Sequence, residues 1–387
     1  MTSQATRDYL LDVSRLIWRV WDGRLATGID RVCLEYVQHF GPRSQAVVQF
    51  RGRIFVLSPA DSDHLFGLLA GGSGGVRRRL LAFAPIAWAR ARRSPPERGM
   101  IYLNVGHTGL HDPALPRWID RHGIKAVYLV HDLIPITHPQ FCRDGEAGKH
   151  VNRIEHALAS GAGILANSNT TLDELAAFAA DRRIGMPPGL AAWIAPRQPC
   201  RALPTALPER PYFLAVGTIE GRKNHLLLLT VWRELVGEMG VNAPMLIIIG
   251  QRGWQARPAE AILDDLGDLT GHVRELGRCT DAELARWLKG ARALLMPSFA
   301  EGFGLPVVEA LARGTPVIAS DLPVYREIAG DIPTYLLPED RRGWKEAIRA
   351  FVGDGAERER QKLALQQYRP PDWPGHFARV EGWLETL

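Results

Sequence analysis

The feature that most constrains the fold is an alternation of short apolar runs with amphipathic helical stretches, which occurs twice along the chain. In the first half, helical patterns such as 30–40 and 170–180 separate runs that have the length and composition of buried strands. These runs are AVVQF (46–50), MIYLNV (100–105), KAVYLV (125–130) and GILAN (163–167). The alternation predicts an α/β domain built on a parallel sheet.

The second half repeats this pattern after a proline-rich stretch. Residues 186–211 contain seven prolines, and proline fixes φ and removes a backbone donor, so we expect the interdomain connection there. Strand-like runs follow at 212–216, 245–250, 291–298 and 316–320. We predict two Rossmann-like domains, 1–200 and 201–368, whose parallel sheets face each other across a ligand-binding cleft. A helix within 369–387 is expected to cross back to the first domain.

Length and composition set outer limits on function. The chain has 387 residues and no apolar run of the roughly 18 residues that a membrane-spanning helix needs. Charges interrupt the N-terminal residues, which lack the apolar core of a secretion signal, so the sequence predicts a cytoplasmic protein. The four cysteines are far apart and form no CxxC pair, which argues against a zinc site or a disulfide framework.

The positive charge is concentrated in the first half. Residues 1–200 carry 24 Lys and Arg against 17 Asp and Glu, whereas residues 201–387 carry 23 against 25. Between 76 and 98 seven arginines face one glutamate, which suggests an anionic partner. Segment 76–93 alternates arginines with large apolar residues around Pro85, a pattern typical of a membrane surface that carries anionic lipid. A solvated basic helix is the alternative, and nucleic acid is disfavoured because no recognition motif accompanies the charge.

The sharpest site signal is the segment SFAEGFGLPVVE at 298–309. It predicts a glycine loop between a strand and a helix, where Gly302 and Gly304 let the backbone approach a ligand closely. Glu301 and Glu309 supply carboxylates, which suit a hydroxyl-rich ligand because each oxygen accepts hydrogen bonds. A glycine-rich turn with a surface glutamate is the simpler alternative.

A second signal is the segment VGTIEGRKN at 216–224. Arg222 and Lys223 lie on a predicted strand-to-helix loop, where two cations can neutralise a diphosphate. A solvated Arg–Lys pair is the alternative. Cations at a helix start oppose the helix dipole, which favours a ligand role.

The two motifs, in this order and about 80 residues apart, resemble glycosyltransferase family 4, the retaining family of the two-domain GT-B fold. Glu301 and Glu309 match its Glu-x7-Glu hallmark, and GTIEGRKN is similar to its GTLEPRKN. The resemblance covers nearly all of 212–330. In the first half, TGIDR (27–31) resembles the family's GGIGR loop, with Asp30 in place of a glycine. VHDLIP (130–135) and the ANS at 166–168 resemble segments of bacterial members, many of them mannosyltransferases.

The resemblance implies roles for individual residues. The catalytic candidates are Glu301, His131 and Lys223, and the donor-binding candidates are Glu309, Arg222, Lys223, Thr218, Gly302, Phe303, Gly304 and Gly28. Glu309 would bind the ribose hydroxyls and Glu301 a hydroxyl of the donor sugar. Arg222 becomes the second diphosphate cation because Thr218 stands where the family often has arginine. Neither glutamate is expected in the core.

The expected function is therefore retaining transfer of a hexose from a nucleotide-sugar, GDP-mannose first, to a lipid-linked or polysaccharide acceptor in bacterial surface-polysaccharide synthesis. The enzyme is expected to need no metal and no other cofactor, and to lie on the inner face of the cytoplasmic membrane. Its one Asp-x-Asp, at 61–63, is expected to form a surface turn. The alternatives are a binding module for nucleotide-sugars and an epimerase of the same fold, which would act without an acceptor.

Overall fold

The computed structural model describes residues 7–23, 27–71, 75–91, 95–196, 207–277 and 279–387. The chain forms two compact units. The first comprises Met1–Leu133, Gly148–Trp193 and Trp373–Leu387, and the second comprises Ile134–Ala147 and Ile194–Asp372. The C-terminal segment therefore groups with the first unit, and a short segment from the first half groups with the second. The boundary expected at residue 200 lies outside the described residues.

The strands form two sheets, one in each unit. In chain order they are β1 (Tyr9–Asp12), β2 (Ser44–Phe50), β3 (Arg53–Val56), β4 (Ile101–Asn104), β5 (Lys125–Val130), β6 (Gly163–Ala166), β7 (Gly189–Ala191), β8 (Tyr212–Val216), β9 (Met245–Ile249), β10 (Val273–Leu276), β11 (Leu294–Met296), β12 (Val317–Ser320) and β13 (Thr334–Leu336). The first sheet has the order β3-β2-β1-β4-β5-β6-β7 and the second β10-β9-β8-β11-β12-β13. All pairs are parallel except the β2–β3 hairpin. The predicted α/β class with parallel sheets is thus confirmed.

Helices connect these strands. In chain order they are α1 (Ser14–Trp21), α2 (Gly28–Phe40), α3 (Pro59–Ala70), α4 (Val76–Ala91), α5 (Ala114–His122), α6 (Ile134–Thr137), α7 (Glu146–Ser160), α8 (Asn169–Arg182), α9 (His225–Met239), α10 (Arg257–Asp264), α11 (Asp281–Gly290), α12 (Leu305–Leu311), α13 (Pro323–Ala329), α14 (Arg341–Val352), α15 (Ala356–Leu365) and α16 (Trp373–Leu384). Pro85 lies inside α4. In the described part of the chain, no helix is both long and apolar enough to cross a membrane.

Each unit has a core of its own. In the first, α16 is anchored against α2, where the Phe377 ring lies edge-on to Tyr36 and the His376 Nε2 lies 3.0 Å from the Tyr36 hydroxyl. In the second, Trp232 of α9 is fully buried and its indole nitrogen donates to the Pro244 carbonyl at 2.9 Å. Burying a large apolar side chain of this kind contributes about 1.5–3 kcal/mol.

The strand order places the candidate site. In each sheet the chain order reverses beside the first strand, between β1 and β4 in one and between β8 and β11 in the other. Because the strands are parallel, the loops that follow them meet at the carboxyl edge of the sheet, where ligands of such folds bind. The loops after β8 and β11 are the two that carry the predicted motifs.

Candidate active site

The two motifs of the second unit form one site. The Phe299 backbone nitrogen donates to the Arg222 carbonyl at 2.8 Å, and the Arg222 Nη1 donates back to the Ala300 carbonyl at 2.8 Å. These reciprocal bonds hold the loop after β8 against the loop after β11. Segments that are far apart in sequence are thereby fixed beside each other at the carboxyl edge of the second sheet, where the strand order reverses between β8 and β11.

Four ionised side chains are packed into this site. The Glu301 Oε2 lies 2.9 Å from the Arg222 Nη1, and the Glu301 Oε1 pairs with the Lys223 ammonium. The Glu220 Oε1 lies 2.8 Å from the Arg222 Nε. Ser298 donates its hydroxyl to the Glu301 Oε1 at 2.7 Å. The Glu301 and Lys223 side chains are only 7% and 9% exposed, so water screens these pairs weakly.

Burial and charge act in opposite directions on these groups. Burial raises the pKa of the Glu301 carboxyl, but Arg222 and Lys223 outweigh it and hold that pKa at about 2. Burial lowers the pKa of Lys223 although Glu301 opposes the shift. Burial also raises the pKa of Glu220, which Arg222 partly offsets. Each cation predicted to hold a diphosphate therefore already has a carboxylate partner in the folded protein.

The glycine loop leads into the buried helix α12. Gly304 has φ +95°, and a Cβ there would lie 2.5 Å from the Tyr325 ring, so only glycine fits. Phe303 is 4% exposed, and Glu309 in α12 is 5% exposed. The expectation that neither glutamate lies in the core is therefore wrong. The helix α12 is buried along most of its length, from Val307 to Leu311.

Two other predicted donor-binding residues lie on the same loops. Thr218 follows β8 and is half-buried. Its methyl group packs against Gly253, where a Cβ would come within 2.6 Å. Gly302 is half-buried directly after Glu301. Their contacts with a donor stay predictions.

His131 lies in the first unit, directly after β5, and is 4% exposed. Its Nε2 lies 2.8 Å from the Val105 carbonyl, and its own carbonyl accepts from the Asn167 amide at 2.9 Å. The HDLIP and ANS segments are thus joined directly. Burial lowers the pKa of His131 to about 4, so the ring is neutral near pH 7. Because a carbonyl only accepts, Nε2 carries the proton and Nδ1 is left as an acceptor.

One further histidine packs beside His131, and no motif in the sequence identified it. The His107 ring lies 5.1 Å from that of His131 and 6.0 Å from that of His150 in α7. The His107 Nε2 lies 2.7 Å from the Leu129 carbonyl. Burial and the two neighbouring rings hold the pKa of His107 well below its usual range. The loops after β4 and β5 thus present two neutral imidazoles, those of His107 and His131.

Gly28 begins α2 and is exposed. The departure from the family pattern at Asp30 has a structural explanation. The Asp30 carboxylate closes a capping box with Thr27 and pairs with Arg15 and Arg19 at 2.6 and 2.8 Å. Burial raises the pKa of Asp30, but Arg15 and the Thr27 hydrogen bonds outweigh it, and the pKa is lowered. Asp30 therefore fixes the start of α2, and a phosphate contact of Gly28 stays a prediction.

The prediction of a surface turn at 61–63 is wrong. Ser58 caps α3 and Pro59 begins it, so the tripeptide falls in the first helical turn. Asp61 is 4% exposed and Ser62 is fully buried, with its hydroxyl accepting from the Ala46 nitrogen at 2.9 Å. Asp63 pairs with Arg7 at 2.7 Å. Within the ranges that the structure describes, no group of three or more His, Cys, Asp or Glu residues could hold a metal ion.

A segment from the first half packs against the motif loops of the second unit, and no sequence motif indicates this packing. The Phe141 ring stacks on Phe299 with centroids 5.1 Å apart. The Trp254 indole donates to the Phe141 carbonyl at 3.0 Å, and the Arg143 guanidinium lies 5.1 Å from the Trp254 ring. The chain that carries His131 thus continues, three residues later, into a segment docked beside Phe299.

Known proteins resemble this chain in sequence or in fold. The sequence profile described as Glycosyl transferases group 1 matches residues 204–367. The O-antigen chain mannosyltransferase B of Escherichia coli is 29% identical over 81% of this chain and 84% of its own. The O-antigen chain mannosyltransferase RfbU of Salmonella typhimurium is 36% identical over 36% of this chain and 37% of its own. The solved sucrose-phosphate synthase of Thermosynechococcus elongatus superposes with a TM-score of 0.65 over 98% of both chains at 15% identity, a likeness of fold.

The chain therefore has the fold of GT-B glycosyltransferases, and over residues 204–367 it is similar to the family described as Glycosyl transferases group 1. Within that class it resembles family 4, and it is similar to bacterial mannosyltransferases of O-antigen synthesis.

Proposed function

We propose that the chain transfers a hexose, with retention of configuration, from a nucleotide-sugar to a lipid-linked or polysaccharide acceptor in bacterial surface-polysaccharide synthesis. GDP-mannose is the first candidate donor, since the relatives are named mannosyltransferases. The observation that carries the proposal is the buried cluster of Glu301, Arg222 and Lys223 on the loops after β8 and β11. The chain would need no metal ion for this reaction.

The geometry is consistent with different proposed tasks for the two cations. The Arg222 guanidinium is held by Glu220, Glu301 and the Ala300 carbonyl, which fixes its position. Lys223 has a single point charge on a flexible stem, so its ammonium can move from Glu301 to a bound diphosphate. That exchange would leave the Glu301 Oε1 able to accept a hydrogen bond from a hydroxyl of the donor sugar.

The reaction itself separates charge. Breaking the anomeric bond leaves negative charge on the diphosphate and positive charge on the sugar ring. A cation aimed at the leaving group stabilises this state more than the ground state and so accelerates the reaction. The leaving phosphate then takes the acceptor's proton on the face from which it departs, which retains the configuration. His131, neutral and with Nδ1 as an acceptor, would receive a hydrogen bond from a hydroxyl at the reaction centre.

The test is a thermal-shift panel of nucleotide-sugars, followed by transfer assays with and without a saccharide acceptor. A donor at 100 times its dissociation constant stabilises the folded protein by about 2.7 kcal/mol. We expect a shift with GDP-mannose and a product that requires both donor and acceptor. Conversion of the donor without an acceptor would indicate an epimerase, and a shift without turnover would indicate a binding module.

We further propose that α4 holds the enzyme on the inner face of the cytoplasmic membrane. Its buried residues are Leu80, Ala87 and Ala91, whereas Leu81, Ile86 and Trp88 are 50%, 54% and 38% exposed. Trp21, 39% exposed, extends this surface, and the Arg77 guanidinium lies 5.4 Å from its ring. Across the described part of the first unit, these four are the exposed large apolar side chains. Exposed arginines beside them suit an anionic lipid surface.

A vesicle assay tests the membrane proposal. Changing Arg77, Arg78 and Arg79 to Gln should weaken binding to anionic vesicles, since each basic residue near the surface contributes about 1 kcal/mol. The matched control changes three exposed arginines elsewhere on the first unit, Arg117, Arg121 and Arg183, to Gln. Equal binding by both variants, or no binding by the wild type, would rule the proposal out.

A further inference from the structure

The first unit has a second polar site at the carboxyl edge of its sheet. A pocket of about 260 Å³ lies between the β2–β3 turn and the loop after β4. Its lining includes Gln49, Arg51, Arg53, Gly109 and Asp112. This volume lies just below the roughly 300–1,000 Å³ of pockets for drug-sized ligands, which limits the occupant to about one sugar ring.

The side chain of Gln49 is held in one orientation at the base of this pocket. Gln49 is 9% exposed, and its Nε2 lies 2.8 Å from the Asp12 Oδ2 and 2.9 Å from the Thr108 carbonyl. A carbonyl oxygen only accepts hydrogen bonds, so the NH2 group must occupy this position. The amide oxygen must then point the other way.

That oxygen is an acceptor without a donor. Among the described residues, no hydrogen bond to the Gln49 Oε1 is made. The oxygen lies against Gly109, where a Cβ would come within 1.8 Å and where φ is +72°. Because Gln49 and Gly109 both line the pocket, the oxygen is available to a ligand there. A nearly buried acceptor of this kind calls for a donor such as a hydroxyl.

The rest of the lining favours a sugar over a phosphate. Asp112 is half-buried and fixed, because its Oδ1 accepts from the Ala114 nitrogen at 2.8 Å. Arg51 and Arg53 are exposed at the mouth. Sugar hydroxyls both donate and accept, so they can satisfy the carboxylate, the amide oxygen and the guanidinium groups together. A phosphodiester has no hydrogen to donate to the Gln49 oxygen, and any phosphate anion would be repelled by Asp112.

The same hairpin also contacts α4. The Trp88 ring packs against Phe55 with centroids 5.1 Å apart and against Phe50 at 6.2 Å. The pocket therefore adjoins the helix assigned above to the membrane. A sugar attached to a lipid in that membrane would need only a short reach to enter the pocket.

We propose that this pocket binds one sugar ring of a lipid-linked acceptor through Gln49, Asp112 and Arg53. The inference rests on the proposed transferase function for its role, but the pocket can be tested without turnover. The probes are methyl α-glycosides of mannose, glucose, galactose and N-acetylglucosamine, and binding to the full chain is measured by saturation-transfer NMR.

Two variants address the site. Gly109→Ala places a Cβ against the Gln49 oxygen and should abolish the glycoside signal. Asp112→Asn keeps the cap on Ala114, because the amide oxygen still accepts there, and should weaken binding about tenfold, as expected for loss of a hydrogen bond to a charged group. Glu97→Gln and Arg121→Gln are exposed controls on the same unit and should bind as the wild type does.

The outcomes separate this inference from the proposed function. In a transfer assay with a lipid-linked acceptor, Asp112→Asn should raise the acceptor KM about tenfold and change kcat less. Three results would overturn the pocket and leave the transferase function intact, provided that the wild type transfers sugar. These are the absence of a glycoside signal, equal signals in all variants, and displacement of the glycoside by inorganic phosphate. Glycoside binding that both variants lose, without any transfer, would support the pocket and overturn the transferase.

Discussion

The carboxyl edges of the two sheets differ in charge. In the second unit this edge carries full charges of both signs, Glu220 and Glu301 against Arg222 and Lys223, all nearly buried. In the first unit the same edge adds groups that are neutral near pH 7, the imidazoles of His107 and His131 and the amide of Gln49, to the charged Asp30, Asp112 and Arg53. One strand order thus supports two kinds of polar site.

This difference matches the chemistry expected of the two substrates. A nucleotide-sugar donor brings a diphosphate, whose charge must be compensated as the bond breaks. An acceptor sugar brings hydroxyls, which need hydrogen-bond partners and no net charge. We infer that the adjacent cations at the second unit and the neutral hydrogen-bonding groups at the first reflect donor and acceptor recognition, and the predictions below are arranged to challenge that division.

The largest effect is expected at Lys223. Replacing it with alanine removes the cation proposed to move onto the leaving diphosphate, so kcat/KM should fall about 100- to 1,000-fold, as when an oxyanion donor is removed. The measurement is steady-state transfer at saturating acceptor. Lys289→Ala, an exposed lysine of α11, is the control and should leave the rate unchanged. A loss of less than threefold in the Lys223 variant would contradict the role given to the charged edge.

The two glutamates should respond differently to replacement. The hydrogen bonds that Glu309 is proposed to accept from the ribose hydroxyls would exist before and during the reaction, so Glu309→Gln should raise the donor KM about ten- to a hundredfold and change kcat less. Glu301 is proposed to contact the reacting sugar, so Glu301→Gln should lower kcat more than it raises KM.

Glu301→Gln is also expected to lower the free energy of unfolding. It leaves Arg222 and Lys223 buried without their shared partner, which destabilises the fold by about 3–5 kcal/mol. Rates must therefore be measured below the unfolding temperature of each variant. A pattern in which Glu309→Gln lowers kcat alone and Glu301→Gln changes only KM would show that the roles are assigned wrongly.

The sequence was most informative where the site is local. The loops of the second unit follow directly from short motifs, because strand, glycine turn and helix are consecutive in the chain. The pairing of Lys223 with Glu301 was not predictable, since it joins residues 78 positions apart. The stacking of Phe141 on Phe299 is equally remote from any local signal.

The polar site of the first unit was harder to predict from the sequence, because its residues also come from segments that are far apart in the chain. Gln49, Tyr102 and Thr108 meet through three different segments, and each is an ordinary residue for the place where it occurs. The turn expected at 61–63 was wrong because a cap at Ser58 and a proline at the next position start a helix. The helix-start signal of Ser58 and Pro59 is present in the sequence, but the polarity of the two aspartates favoured the interpretation as a surface turn.

A smaller effect is expected from acid. The folded pKa of His131, about 4, lies below its ordinary value of 6.5. Between these values the unfolded chain binds more protons, so this stabilising contribution is present above pH 6.5 and is lost as pH falls toward 4. Lowering the pH from 6.5 to 5 should cost about 2 kcal/mol. Glu301 keeps its contribution over this range, because its depressed pKa of about 2 places the loss between pH 4.5 and 2.

Hydrogen exchange of the β5 amides, followed by mass spectrometry, measures this loss. His131→Asn should flatten the pH dependence of exchange in β5. The variant is the proper comparison, because burial also lowers the pKa of His107 and His376 in the first unit and of His225 in the second, so the wild type alone does not isolate His131. An unchanged pH dependence in the variant would mean that His131 is not the neutral group of this edge.

The smallest effect is expected from removing divalent metal. If Arg222 and Lys223 compensate the diphosphate, excess EDTA should leave the initial transfer rate within about twofold, since two cations near the leaving group already supply the required charge. The control is the double variant Asp61→Asn and Asp63→Asn, which alters the chain's one Asp-x-Asp. It should transfer at the wild-type rate with and without EDTA, because Asp61 is engaged by Ser58 and Arg90 and Asp63 by Arg7. Full loss of activity in EDTA, restored by manganese in the wild type and not in the double variant, would show that the charge comes from a bound ion. The paired cations of the second unit would then no longer explain the catalysis.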